Sequence, residues 1–517
     1  MLTALISVSD KTGIIGFARE LKSLGWNLVA SSGTSNLLNQ TGIKCKEISV
    51  LVNSPEILDG RVKTLNPKIY AGILAVRDNK SHMEQLLASQ ITLIDMVVVD
   101  LYPFETITSK IQKPINKQID QKVIENIDIG GVSLLRAAAK NYRDVIVLCS
   151  HCDYINVIKM LKSDTISEEI KLQLAAKAFG YTSYYDSLIS NYFTYDSIFN
   201  LNKLTIPIKK LSKLRYGENP HQKATLYSHP TNHNKYFKQI HGKELSYNNY
   251  LDLESAYNLV NEFDKPSCAI VKHNNPCGCA SGKDPKDAYL KALLCDPLSS
   301  FGGIIAFNTS VDKDTAIELN KLFVECIIAP NYTNTAIKIL STKKNVRLLI
   351  RENDSSITDN VHYEYKITDY GLLIQDKDNE LMSEMKIATE KPPTDIEMCS
   401  LIFALTVAKY VKSNAIVLAV GEQTIGIGAG QMSRIDSLKI ATYKMRAIKM
   451  NLEKNLLPII LASDGFFPFP DVVALAHKIG VTAIIQPGGS IKDNDSIQEA
   501  QKHNMAMVIT GMRHFKH

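Results

Sequence analysis

LTALISVSDKTGIIGFARELKSLGWNLVASSGT, residues 2–34, decides the fold class. It reads as an apolar strand (LTALISVS), a helix opened by Lys11-Thr12-Gly13 and ended by Gly25, a second strand (WNLVAS), and a second helix opened by Ser31-Ser32-Gly33-Thr34. Alternation of strand and helix specifies an α/β layer fold. The later runs IDMVVVDLYPF and DVIVLCS are further strands with near-continuous apolar cores, the pattern of a parallel sheet covered on both faces. Both strand-to-helix junctions carry Ser, Thr, Lys and Gly, and helix N-termini offer free N–H groups and a positive dipole end to a phosphate. Simple N-capping explains either junction alone; two at one sheet edge bring phosphate binding level with it.

At 517 residues the chain is too long for one core. The α/β reading covers residues 1–200. Residues 201–214, LNKLTIPIKKLSKL, lack a clear period and read as a linker. Residues 215–517 carry a faint internal echo. Asp252-Leu-Glu254 opens a helix leading to the strand Ala269–Val271, and Asp395-Ile-Glu397 opens another leading to Ala415–Val417. SSFGGIIAF (299–307) is echoed by ASDGFFPF (462–469). Two related α/β subdomains facing each other are expected, roughly 215–380 and 381–517.

The composition, 45% hydrophobic and 22% charged with net charge +6, is that of an ordinary globular chain and suits an anionic substrate. No Lys/Arg block reads as a nucleic-acid stripe; the densest basic patch, Lys203, Lys209, Lys210 and Lys213, lies in the linker. No apolar run approaches the ~20 residues that span a bilayer, and MLTALISVSDKTG is not expected to act as a signal peptide. Nine cysteines in so long a chain do not suggest a disulfide framework, so reduced thiols and a cytoplasmic setting are expected. Cys149-Ser-His-Cys152 and Cys277-Gly-Cys279 are at most half-sites for zinc, and no zinc is expected.

Several motifs carry chemistry. In CAIVKHNNPCG (268–278) a buried strand delivers Lys272 and His273 into a turn marked by Asn274, Asn275, Pro276 and Gly278. An imidazole titrates near neutrality, and an adjacent ammonium keeps it basic and neutral, which suits proton transfer; a polar strand end is the plain alternative. GRVKTLNP (60–67) sets Arg61 and Lys63 two apart, on one face of an extended segment, as a phosphate or oxyanion would need. Tyr102 follows a strand C-terminus, where open α/β sheets bind ligands. DIGGVSLLRAAAKN (128–141) has a glycine pair opening a helix that ends near Lys140. IGIGAGQMSRI (425–435) lacks the third glycine of a dinucleotide fingerprint and reads as the second strand of a hairpin turning at Gly421-Glu422. Its glycines imply close approach of another group to the backbone. RYGENPHQ (215–222) and SYNNY (246–250) suit a heterocyclic nucleotide.

GRVKTLNP, DLYPF, DIGGVSLLRAAAKN, LRYGENPHQ, GKELSYNNYLDLESA, IVKHNNPCG, DPLSSFGGIIAFN, IGIGAGQMSRI and SDGFFPFPD occur in this order over the whole chain. Together they closely resemble the bifunctional purine-biosynthesis family that joins AICAR formyltransferase to IMP cyclohydrolase. The resemblance implies an N-terminal methylglyoxal-synthase-like parallel-sheet domain, then a transferase domain of two cytidine-deaminase-like α/β halves without zinc. It implies formyl transfer from 10-formyltetrahydrofolate to the 5-amino group of AICAR, ring closure to IMP, and a homodimer with transferase sites at the subunit interface. By the same resemblance His273 is the base, Lys272 stabilises the oxyanion or protonates the leaving nitrogen, and Asn414 holds the formyl oxygen. Arg215, Tyr216 and Arg513 contact nucleotide, and Phe515 stacks on its ring. Glu325, Gln431, Arg434 and Phe466 lie on the folate side, and Asp464 lies near a monovalent cation, potassium. In the first domain Lys63, Tyr102, Asp128 and Lys140 match the cyclisation residues, while Lys11, Ser31, Ser32, Gly33, Thr34 and Arg61 match nucleotide or phosphate contacts. Three positions depart from the family pattern: Asn66 for His, Asp100 for Asn and Ser32 for Gly. They keep open a formyltransferase with a weak first domain; a nucleotide- or folate-binding regulator without turnover is the further alternative.

Overall fold

The structure, a computed structural model, describes all residues except 55–56, 59–61, 63, 109–110, 112–118, 195–196, 230–236, 352–362 and 453–456, and not the side chains of 447–452. The chain forms two compact units, the first Met1–Lys209 with Ser228–Thr231 and the second Lys210–Tyr227 with Asn232–His517.

The first unit contains a five-stranded sheet: β1 (Thr3–Ser7), β2 (Asn27–Ala30), β3 (Lys46–Glu47), β4 (Met96–Val99) and β5 (Ile146–Leu148). The order is β3-β2-β1-β4-β5 and every pairing is parallel. Both faces are covered, which explains the continuous apolar runs. Ala4, Ile6, Leu28 and Val98 pack with Phe17 and Leu21 of the helix Ile14–Ser23. Leu5, Val29, Val97 and Val99 pack with Leu134, Leu135 and Ala138 of the helix Gly130–Lys140. The strand order reverses between β1 and β4, where such sheets open a crevice at the strand C-termini. At that edge lie the loops Val8–Gly13 and Asp100–Tyr102 and the start of the helix Ser32–Gln40, capped by Ser31.

The segment read as a linker contains a strand, β6 (Lys209–Lys213), in a two-stranded ribbon with β7 (Thr225–Ser228). Beyond it the second unit is organised by one twelve-stranded sheet. Its first six strands are β8 (Lys238–His241), β9 (Ser267–Lys272), β10 (Asn275–Ser281), β11 (Ile304–Phe307), β12 (Cys326–Ala329) and β13 (Arg347–Ile350). A separate ribbon, β14 (Tyr363–Thr368) with β15 (Gly371–Asp376), intervenes. The last six are β16 (Lys386–Ile387), β17 (Ile416–Val420), β18 (Gln423–Gly428), β19 (Ile459–Ser463), β20 (Val481–Gln486) and β21 (Ala506–Ile509).

The order β16-β21-β20-β19-β17-β18-β10-β9-β11-β12-β13-β8 is the same six-strand pattern written twice about its centre. The sequence echo is therefore a duplicated topology: the hairpin β9–β10 corresponds to β17–β18, and β11, β12 and β13 correspond to β19, β20 and β21. The halves do not face each other as expected; they join edge to edge. The helices before each hairpin also start earlier or stronger than the acidic motifs indicated. Tyr247–Val260 begins at a Ser246–Asn249 capping box, five residues before Asp252, and Asp395–Ala408 begins at a Thr394–Glu397 box.

The seam between the halves is short. Ala280 pairs with Gln423, and the Ser281 N–H donates to the Glu422 carbonyl at 2.9 Å. The Thr424 hydroxyl takes the Cys279 N–H at 2.9 Å and donates to the Cys279 carbonyl at 3.0 Å, standing in for a ladder rung. On each side a helix lies directly on hairpin glycines. A Cβ at Gly278 would sit 2.0 Å from the Ala292 carbonyl oxygen of the helix Pro285–Cys295. At Gly426 and Gly428 it would sit 2.2 and 1.9 Å from the Ala441 and Ser437 carbonyls of the helix Arg434–Leu452. The object that Gly426 and Gly428 of IGIGAG admit is thus this chain's own helix.

Gly428→Ala should therefore lower stability by about 1–3 kcal/mol, read as a reduced urea midpoint for the second unit with unchanged slope. An unchanged midpoint would show that the helix does not rest on this strand.

Candidate functional site

A cavity of about 280 Å³ opens beside the seam and draws its walls from both halves. Lys272, His273, Asn275, Cys277, Asp296 and Ser299 come from the first half, and Ile427, Ala429, Gln431 and Lys444 from the second. The two-residue turn of β9–β10 is His273-Asn274, with φ of +54° and +60°, flanked by the pair Lys272–Asn275. Positive φ at both positions is the two-residue hairpin geometry that glycine or asparagine usually fills. A histidine is held there by Asp252, whose carboxylate accepts from the Asn274 N–H at 2.7 Å and the His273 N–H at 3.3 Å. Burial pushes the Asp252 carboxyl above the usual range while those two N–H groups pull it back. Lys272 extends to the Phe301 carbonyl at 2.8 Å. Burial also pushes the Cys277 and Cys295 thiols up to about 12, so both line the cavity as neutral groups.

From the second half, Asn414 is tied to the cavity wall through Gln431, whose carbonyl accepts from the Asn414 backbone N–H at 3.1 Å and from its side-chain amide at 2.9 Å. Next to it the C-terminal segment folds in. Ser413 N–H donates to the Lys516 carbonyl at 2.9 Å, and Lys516 N–H returns to the Ser413 hydroxyl at 3.2 Å. Asp464 is fully buried; Arg434 reaches it at 3.2 Å and the Ser413 hydroxyl bonds its other oxygen. The Phe515 ring lies under two guanidinium groups, Arg513 at 4.8 Å and Arg434 at 5.6 Å. Glu325 accepts from Asn249 at 2.9 Å and pairs with the buried Arg347 at 3.5 Å. Arg215 stacks on Tyr216 at 5.2 Å, and the Tyr216 carbonyl accepts from Tyr247 at the start of the helix that carries Asp252. Phe466 is half-buried in the loop after β19.

In the first unit the Lys11 ammonium donates to the Thr34 hydroxyl at 2.8 Å and to the Val8 carbonyl, and Ser31 lies within 3.5 Å of Thr34. Ser32 and Gly33 form the first turn of the helix Ser32–Gln40. The Asp128 carboxylate accepts from Gly131 N–H at 2.6 Å. The glycine pair is a packing requirement: a Cβ at Gly131 would meet that carboxylate at 2.5 Å, and one at Gly130 the Thr64 hydroxyl at 2.1 Å. Thr64, inside GRVKTLNP, is thereby brought against Gly130 at the start of the helix Gly130–Lys140. Tyr102 stands half-exposed after β4. Lys140 ends the same helix that Asp128 caps, about 15 Å along it at 1.5 Å per residue, so the two are not brought together. Arg61 and Lys63 lie outside the described residues.

The family described as AICARFT/IMPCHase bienzyme matches residues 138–444, and the MGS-like domain matches residues 13–133. The bifunctional purine biosynthesis proteins PurH of Persephonella marina and Caldicellulosiruptor saccharolyticus are each 48% identical, over 99% of this chain and 99% of theirs. That of Acetivibrio thermocellus is 48% identical with the same coverage. The chain belongs to the AICARFT/IMPCHase bienzyme family. A solved structure, ForH, is 34% identical and covers 37% of this chain and 99% of its own, with a TM-score of 0.33.

Within this bienzyme, two of the three departures have local explanations. Asn66 caps the helix Pro67–Leu74, its side chain accepting from Lys68 N–H at 2.9 Å. Asp100 accepts from the backbone N–H groups of Ser9 and Asp10, which ties β4 to the loop after β1; burial holds its carboxyl above the usual range. Sequence reasoning passed over several positions. Asp252-Leu-Glu254 reads as a helix start, but Asp252 lies a turn and a half inside the helix Tyr247–Val260, where it is aimed at the hairpin. Tyr181 and Tyr185, four apart and so on one face of the helix Glu168–Phe193, hold the loops at Leu101 and Asp128 at 3.3 and 2.9 Å. Among the described residues no group of three or more His, Cys, Asp and Glu side chains is placed to hold a metal ion, and no helix is long and apolar enough to cross a membrane.

Asp252→Ala should loosen the His273 turn and lower formyl transfer by about 10–100-fold, since small misplacements of a reacting group cost that much. Steady-state rates on the purified variant, with ring closure as an internal control, would detect it; equal transferase rates would show the turn to be held otherwise.

Proposed function

We propose that the seam cavity transfers the formyl group of 10-formyltetrahydrofolate to the 5-amino group of AICAR, and that the first unit closes formyl-AICAR to IMP. The observation that carries the first half is the convergence of Lys272 and His273 with Gln431 and the Asn414 segment in one cavity. The AICAR amine is a weak nucleophile because its carboxamide withdraws electron density. As its nitrogen attacks the formyl carbon, His273 accepts the proton it sheds. The charge gathering on the formyl oxygen is met by the Lys272 ammonium and by the Asn414 amide, which has a second N–H besides the one given to Gln431. Collapse breaks the carbon–nitrogen bond to folate, whose nitrogen leaves with a proton supplied from this pair. Arg215, Tyr216, Arg513 and Phe515 are the nucleotide side of this reading, and Glu325, Gln431, Arg434 and Phe466 its folate side. A potassium ion beside Asp464 would have to share a carboxylate that Arg434 and Ser413 already hold, a poor fit, and no step here depends on one.

Ring closure is intramolecular. The carboxamide nitrogen adds to the formyl carbon and water departs, so positioning supplies much of the rate. The loops at the β1/β4 crevice, with Lys11, Ser31 and Thr34, suit the phosphate. Asp128 and Tyr102 suit the proton transfers, and Lys63 is the cation of this reading; Lys140, at the far end of its helix from Asp128, is given no step. A homodimer and a cytoplasmic setting complete the reading.

The test is a product assay with purified protein, AICAR and 10-formyltetrahydrofolate. IMP and tetrahydrofolate are expected. His273→Ala should abolish turnover while AICAR binding survives; formyl transfer at near wild-type rate would remove His273 as the base. Asp128→Ala should leave formyl-AICAR accumulating; IMP formed at the original rate would acquit Asp128.

A further inference from the structure

Lys444 is a cation in the cavity wall that the chemistry above does not use. It stands on the helix Arg434–Leu452, which belongs to the second half, and it reaches across the seam to the first. There its ammonium pairs with the Asp296 carboxylate and lies 3.3 Å from the Ser299 hydroxyl. Only 11% of the Asp296 side chain is exposed and 28% of that of Lys444. Burial alone would raise the Asp296 carboxyl, but the hydrogen bonds from Lys444 and Ser299 outweigh it and hold it below the usual range. An ion pair this shielded is costly to break from one side, because the remaining charge keeps its desolvation cost.

What the pair fixes is the segment that follows. Asp296 caps the short helix Pro297–Ser300, accepting from Ser299 N–H at 3.0 Å, and the Ser300 hydroxyl donates to the Asp296 carbonyl at 2.8 Å. The next residue is Phe301, whose carbonyl is the acceptor for the Lys272 ammonium at 2.8 Å. Gly302 and Gly303 then pin the turn to Phe323 and Ser300 at 2.8 and 3.0 Å. A continuous chain of contacts thus runs from a helix of one half, through Asp296 and the 297–301 turn, to the ammonium next to His273.

We infer that Lys444 is a positioning residue for formyl transfer: by clamping Asp296 across the seam it sets where the Phe301 carbonyl holds the Lys272 ammonium. The inference rests on the formyltransferase reading of this cavity. It requires no contact between Lys444 and either substrate, so removal should lower the rate of transfer more than the affinity for AICAR.

The experiment compares wild type, Lys444→Met, Lys444→Arg and Asp296→Asn in the full-length protein, measuring formyl transfer and, on supplied formyl-AICAR, ring closure. Lys444→Met is expected to lower transferase kcat by about 10–100-fold, with KM for AICAR within about two-fold and ring closure unchanged. Lys444→Arg, which keeps the charge and can still reach a carboxylate, should recover most of the loss. Asp296→Asn keeps the helix cap but removes the ionic partner, and should fall in the same direction by a smaller factor. A transferase kcat for Lys444→Met within two-fold of wild type overturns the inference, as does a loss confined to KM. If Lys444→Met fails to fold, judged by lost ring closure or circular dichroism, Asp296→Asn decides: an undiminished kcat in the folded variant overturns it. A wild type that lacks transferase activity while closing formyl-AICAR would instead remove the reading on which the inference stands.

Discussion

The second unit depends on one narrow junction, the pairing of β10 with β18. Only Ala280 and Gln423 meet in register there, and the Thr424 hydroxyl supplies the hydrogen bonds that a regular ladder would have given to Cys279. This junction makes one twelve-stranded sheet out of two six-stranded halves. Because the antiparallel hairpins β9–β10 and β17–β18 are the innermost strands of the two halves, the hairpin ends and the loops around them collect at the seam. A cavity lined by both halves follows from that geometry. Neither half holds Lys272, His273, Gln431 and Lys444 by itself.

Close approach is the second constraint, and it has the same source. Helices can lie on the central hairpins only where a side chain is missing, at Gly278, Gly426 and Gly428. The helix Arg434–Leu452 is thereby pressed onto the seam, and it carries Arg434 to the buried Asp464 and Lys444 to Asp296. In the first unit the same device operates at Gly130 and Gly131, which let Thr64 and the Asp128 carboxylate reach a helix N-terminus. In both units, then, glycines that a sequence reader assigns to ligand approach serve first to bring the protein's own groups into contact.

Polar groups with demanding backbones are stabilised by local acceptors. His273 and Asn274 adopt positive φ because the hairpin has two residues to turn in and Asp252 accepts both N–H groups. Asp100 plays a similar part for the loop after β1, accepting from the backbone N–H groups of Ser9 and Asp10. An asparagine there could accept as well, but would bring an N–H pair in place of a charge. A substrate anion would feel both the added charge and the missing N–H donors at this position.

Much of this was legible in the sequence. The α/β alternation of residues 2–34, the hairpin at Gly421-Glu422 and the repeat of helix then strand in the second part all follow from local patterns, because strands buried on both faces must be continuously apolar and tight turns need particular residues. The family followed from nine ordered motifs. The partners of those motifs did not, since a side chain's target is set by elements far away in the chain. That Asp252 holds a turn some twenty residues on, that Lys444 reaches Asp296 across 148 positions, that Lys140 stands a helix length from Asp128, and that the two halves join by their edges are consequences of packing. Local sequence fixes which residues can turn, cap or titrate; which of them meet is decided only when helices and strands settle against one another, through distances that no spacing in the chain encodes.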